Sequence, residues 1–152
     1  MSRKHLFFLL ASLFLISHAS HAQQVGGFGA GIIIGEPTGL SGKLFMSERN
    51  AVDFALAWSF ADDAALHLHS DYLVHNYDLI HVSYGKLPLF YGIGGRLKLA
   101  DKSRLGLRVP VGLAYLFDED PFEVFIELVP LLDLIPVTSF TINGGIGVRY
   151  YF

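Results

Sequence analysis

His67, His69 and Asp71 stand at alternate positions of Leu66-His67-Leu68-His69-Ser70-Asp71-Tyr72-Leu73. In an extended strand, alternate residues leave the same face about 6.8 Å apart, so two imidazoles and a carboxylate share one side. Imidazoles so placed can share a divalent metal, with the carboxylate ligating or orienting a ring. A histidine can also act as base to a hydroxyl nucleophile, and Ser70 is the adjacent hydroxyl. On a flat strand, however, Ser70 leaves the face opposite His69, and only a bulge would bring them together. The third use is structural: the rings fill an enclosed interior and hydrogen-bond there, with Asp71 bound to His69 or to an arginine. The structural use is the expected one, so no catalytic, cofactor or metal residue is assigned.

The elements that must hold these residues are strands. Hydrophobicity alternates in roughly eight segments of about ten residues, the length of a tilted transmembrane strand. In residues 51–60, Val52, Phe54, Leu56, Trp58 and Phe60 oppose Ala51, Asp53, Ala55, Ala57 and Ser59. Residues 66–74, 89–99, 104–117 and 122–129 alternate in the same way. Their polar faces carry His67, His69 and Asp71; Arg96 and Lys98; Arg104 and Arg108; and Glu123 and Glu127. Earlier, residues 25–34 set glycines against Phe28, Ile32 and Ile34. The turn Gly35-Glu36-Pro37-Thr38-Gly39 leads into residues 40–46, with Lys43 on the polar face. The last strand sets Ile142, Ile146, Val148, Tyr150 and Phe152 against Asn143, Gly145, Gly147, Arg149 and Tyr151.

Apolar residues on one face and small or charged ones on the other describe a barrel wall with lipid outside. A C-terminal strand that ends in Phe152 after alternating aromatic and aliphatic residues resembles that of bacterial outer-membrane β-barrels. The resemblance implies that this strand is read by the barrel-assembly machinery. Residues 25–152 as a whole resemble transmembrane domains of the OmpA and OmpX type. The Gly35–Lys43 turn, the Leu66–Leu73 stretch and Tyr91-Gly92-Ile93-Gly94-Gly95-Arg96 are similar to a group of small, functionally uncharacterised outer-membrane barrels. The His, Ser and Asp types of residues 69–71 also resemble outer-membrane enzymes that trim lipid A, but the adjacent His69 and Ser70 depart from the His-x-Ser spacing of those enzymes.

At the other end, Arg3 and Lys4 precede an apolar run from Leu6 to Ile16, and Ser20-His21-Ala22 supplies small residues for a signal peptidase. Residues 1–22 are the expected signal peptide, cleaved after Ala22 (Ala19 being the alternative), and 23–152 the barrel domain. Without Arg3 and Lys4, nine basic side chains face 14 acidic ones, a formal net charge of −5 and no footprint for nucleic acid. The chain lacks cysteine, which excludes a lipid-anchored cysteine and a disulfide framework. It is 52% hydrophobic, with 16 Gly and 13 Phe, yet beyond Ala22 no apolar run reaches the length of a helical span.

The expected fold is therefore all-β, an antiparallel up-and-down transmembrane barrel of about eight strands. Its inward set is Lys43, Asp53, His67, His69, Asp71, Arg96, Lys98, Arg104, Arg108, Glu123, Glu127 and Arg149. A barrel this narrow is filled by side chains. Six basic against four acidic groups in that set then imply an ion-pair network that plugs the lumen; a slow pore is the competing reading. With an even strand count and a periplasmic N-terminus, residues 36–39, 61–64, 100–103 and about 131–138 face outward and are short. Residues 75–88 read as a long connection or as an extra strand through Ile80, Val82 and Tyr84. Trp58, Phe60, Tyr115, Phe117, Tyr150 and Phe152 suit interfacial girdles. A lipocalin-type barrel with inverted faces is the fold-level competitor. The functional expectation is a monomeric, non-enzymatic outer-membrane barrel in contact with membrane lipid and lipopolysaccharide. It would serve envelope integrity or surface interaction; a lipid A hydrolase and a host-factor-binding surface protein are the alternatives.

Overall fold

The computed structural model describes residues 27–59 and 65–152. The signal-peptide reading, Phe60 and the 61–64 turn lie outside them. Nine antiparallel strands are present among the described residues: β1 (Gly27–Glu36), β2 (Thr38–Phe45), β3 (Asn50–Ser59), β4 (Ala65–Asn76), β5 (Leu89–Leu99), β6 (Arg104–Arg108), β7 (Val111–Leu116), β8 (Phe122–Ile135) and β9 (Ser139–Tyr151). Each pairs with its sequence neighbour, except that β6 and β7 both lie between β5 and β8. The ring closes where β1 pairs with β9, from Gly29↔Tyr151 to Glu36↔Gly144. Strands β6 and β7 are thus two halves of one spanning segment, and the wall has eight.

The break falls at Val109-Pro110, inside what the alternation reads as one strand over 104–117. Proline donates no hydrogen bond. Pro110 lies at the level of Pro130 on β8, between the pairs Arg108↔Leu131 and Val111↔Leu128. Two residues without N–H groups in adjoining strands interrupt the ladder there. Their carbonyls remain in use: Val109 N–H donates to Pro130 O and Gly92 N–H donates to Pro110 O, both at 3.0 Å. The two-residue alternation survives the break, since Gly106, Arg108, Pro110, Ala114 and Leu116 are all buried.

Three boundaries correct the sequence reading. Strand β8 runs on through Pro130 to Ile135 and β9 starts at Ser139, so the outward connection is 136–138 instead of 131–138. Strand β4 extends to Asn76. Residues 77–88 form a connection with a single bridge, Lys86↔Leu116, and no strand. It is fastened by Gly85, whose φ of +70° suits its lack of a side chain and whose N–H donates to Asp118 Oδ2 at 2.7 Å. Tyr115 OH donates to Tyr84 O at 2.9 Å.

The faces are those of a membrane barrel, with the lipocalin arrangement inverted. Phe28, Ile32, Phe54, Trp58, Tyr72, Ile93, Leu107, Ile126, Leu128, Ile146 and Phe152 are exposed on the outside. At the end where β1 begins and β9 finishes, rings touch along and between strands. Phe28 stacks on Phe54 (6.0 Å) and Phe152 (6.3 Å), Tyr150 meets Phe152 and Phe122 edge-on (5.1 and 5.2 Å), and Tyr115 meets Phe117 (4.8 Å). The Phe28–Phe54 contact passes over β2 at Gly42, where any Cβ would collide with the Phe54 ring.

Candidate functional site

The interior is where charge collects, and β8 is its spine. Glu123, Glu127 and Asp133 all leave its inner face. Ten residues separate the first from the last, about 33 Å along the strand and roughly 25 Å of barrel height at a ~40° tilt. Charged groups therefore occupy the lumen over the height of its wall.

The tier nearest the end where β1 begins and β9 finishes brings together Lys43 of β2, Asp53 of β3, Glu123 of β8 and Arg149 of β9. Glu123 accepts from Lys43 Nζ (3.0 Å), Arg149 Nη1 (2.6 Å) and Tyr151 OH (2.7 Å). Arg149 also donates from Nε to Ser41 Oγ (2.9 Å) and from Nη2 to Asp53 Oδ2 (3.4 Å). Aromatic faces support the cations: Arg149 Cζ lies 3.9 Å from the Phe125 centroid, and Lys43 Nζ 4.9 Å from that of Phe45. In the middle tier Arg108 Nε donates to both oxygens of Asp71 at 3.0 Å, and its Nη2 lies 3.8 Å from Glu127. In the far tier Arg96 grips Asp133 through Nε (3.1 Å) and Nη2 (2.8 Å to each oxygen), with Arg104 Nη1 at 3.4 Å.

Of the twelve residues expected inside, eleven are buried or half-buried. Arg104 is the correction. Its side chain is 44% exposed, because β6 begins there and the residue stands at the mouth. His67 is buried with Nε2 unbonded among the described residues, opposite Lys98 in register. His69 is half-buried opposite Arg96. Ser70 points outward and donates to the Asp53 carbonyl at 3.0 Å, so strand β4 holds it on the face away from His69.

Sequence reasoning missed two inward titratable groups, Asp133 and His75, and the hydrogen bond made by a third, Tyr151. Asp133 was hidden behind Pro130, although Glu123 and Glu127 set a two-residue rhythm that reaches it. His75 lay in the doubtful stretch; it is fully buried against Phe45 (5.0 Å) and Phe90 (5.8 Å), with Nδ1 3.2 Å from Arg49 O. Tyr151 was placed on the inner face without its role as a donor to Glu123. The interior also holds an apolar patch of Ile33, Leu73, Phe90, Ala114 and Phe125. Just beyond β4, burial pushes the Tyr77 phenol up to about 12.

No protein-family model matches the chain, and no curated protein matches it in sequence. Among solved structures it is similar to the N-terminal β-barrel domain of OprF from Pseudomonas aeruginosa. The TM-score is 0.60 at 15% identity, over 82% of this chain and 95% of that one. What the two share is the fold, an antiparallel up-and-down β-barrel.

Proposed function

We propose that this chain is a non-enzymatic, monomeric integral outer-membrane barrel whose lumen is plugged by its own side chains. Its role is in envelope integrity or surface interaction. The observation that carries the reading is the ion-paired set Lys43–Glu123–Arg149–Asp53, drawn from four strands into the interior of an eight-segment ring. A ring of that size leaves little room beyond its side chains. Charges in low dielectric hold together only when paired and hydrogen-bonded, and these are. The exposed apolar wall, the aromatic contacts where β1 begins and β9 finishes and the likeness to the OprF barrel domain support insertion among membrane lipids and lipopolysaccharide. Assembly would proceed through the strand that ends in Phe152.

Reconstitution into planar bilayers tests the plug. The expected record has no stable unitary conductance; reproducible conductance steps from purified barrel overturn it. Fractionation tests the location. Recovery in outer membranes with heat-modifiable mobility is expected, and recovery in the soluble periplasm contradicts it.

A further inference from the structure

We infer that Asp53, His69 and Asp71 form a site for one divalent first-row metal ion on the inner face of the β3–β4 pair. One ligand atom from each residue lies within 4.8 Å of the other two. Two carboxylates and an imidazole are a donor set suited to zinc, cobalt or manganese. The backbone makes the cluster. Asp53 and Asp71 are direct register partners, an unfavourable placement of like charges unless something positive stands between them. His69 faces Ala55, whose small side chain leaves room for the ring. On its other side Asp71 faces Gly94, where a Cβ would collide with Asp71 Oδ1.

A second observation points to a ligand. Asp53 is 2% exposed, and its Oδ1 has no hydrogen-bond partner among the described residues. A buried carboxylate oxygen left bare is costly, and a coordinated cation removes that cost. The other oxygen is held by Arg149 Nη2 at 3.4 Å, and Asp71 by Arg108 Nε at 3.0 Å. Guanidiniums in those places orient carboxylates as outer-shell donors do around metals, and each carboxylate retains free lone pairs. Charge agrees. In the two tiers concerned, Asp53, Asp71, Glu123 and Glu127 face Lys43, Arg108 and Arg149, one negative charge in excess. The arrangement differs from a His67–His69 pair on one strand, because Asp53 enters from the neighbouring strand in place of His67.

The inference rests on the reading of the lumen as an enclosed, ion-paired interior, and its test is separate. Conductance judges the plug; metal stoichiometry judges the site. Refolded barrel in detergent micelles, washed with chelator, is titrated with Zn2+ and its retained metal counted by atomic emission. One Zn2+ per chain with a Kd below about 0.1 mM is expected. His69→Ala and Asp53→Asn weaken binding at least about tenfold, while His81→Ala, in the exposed 77–88 connection, leaves it unchanged. Heat-modifiable mobility verifies that each variant is folded. Should His69→Ala fail to fold, Co2+ added to the unaltered barrel decides: paramagnetic broadening of the His69 imidazole signals and not those of His81 supports the site. No retained Zn2+, equal retention by folded His69→Ala, or broadening confined to His81 overturns it. The first of these means that Arg108 and water alone fill the cage.

Discussion

Replacing Glu123 with Gln removes one negative charge at the point where three groups converge. The amide nearly matches the carboxylate in shape and still offers Tyr151 an acceptor. Lys43 and Arg149 stay in the interior, fully enclosed, with Asp53 at 3.4 Å as the remaining anion. Stripping a buried cation of its partner costs about 3–5 kcal/mol. By contrast the Arg49–Asp78 pair at 2.9 Å, with side chains 54% and 71% exposed, is worth about 0–1 kcal/mol. The prediction is therefore a ratio. Glu123→Gln lowers stability by about 3 kcal/mol or more, and Asp78→Asn by at most about 1. Reversible urea unfolding of barrel refolded into lipid vesicles reads both, through Trp58 fluorescence and gel mobility. Adding Lys43→Met to Glu123→Gln recovers part of the loss, because it removes a stranded charge and leaves an apolar chain against Phe45 and Phe90. If Glu123→Gln costs no more than Asp78→Asn, the lumen is wet and screened, and the argument from buried charge fails.

Two further predictions concern closure and assembly. A Cβ on Gly31 would run into the Val148 carbonyl across the β1–β9 seam, whereas at Gly95 the nearest atom lies at 3.8 Å. Gly31→Ala therefore impairs ring closure, measured as loss of the heat-modifiable band after refolding, and Gly95→Ala does not. Deletion of Phe152 removes a ring in contact with Phe28 and Tyr150. Assembly in cells is expected to fall severalfold while refolding into detergent persists, a difference visible by comparing membrane fractions with micelle yields.

Alternation made the wall legible because each charged residue on a strand labels a face and its neighbours label the other. Asp53 between Val52 and Phe54, or Arg108 between Leu107 and Val109, needs no partner to be assigned inward. What alternation cannot supply is who meets whom. Lys43 and Glu123 stand 80 positions apart and touch only because the ring closes. The prolines concealed the rest. Pro130 looked like the end of a strand, yet its missing donor coincides with the gap at Val109-Pro110, so β8 continues and delivers Asp133 to Arg96. His75 was obscured for a different reason: beyond Asn76 the chain leaves the ladder, and Ile80, Val82 and Tyr84 imitate a strand without pairing as one. The cross-strand Asp53–His69–Asp71 cluster depends on the β3–β4 register, which a single strand's pattern does not contain.

Trp58 is the chain's single tryptophan and lies on the outer face, 45% exposed near the end of β3. Refolded into vesicles of brominated phospholipid, its fluorescence reports which face meets lipid. The account predicts strong quenching by the bromolipid and little by aqueous iodide. Free quenching by iodide with none from the bromolipid would contradict it, since the apolar face would then not meet the membrane.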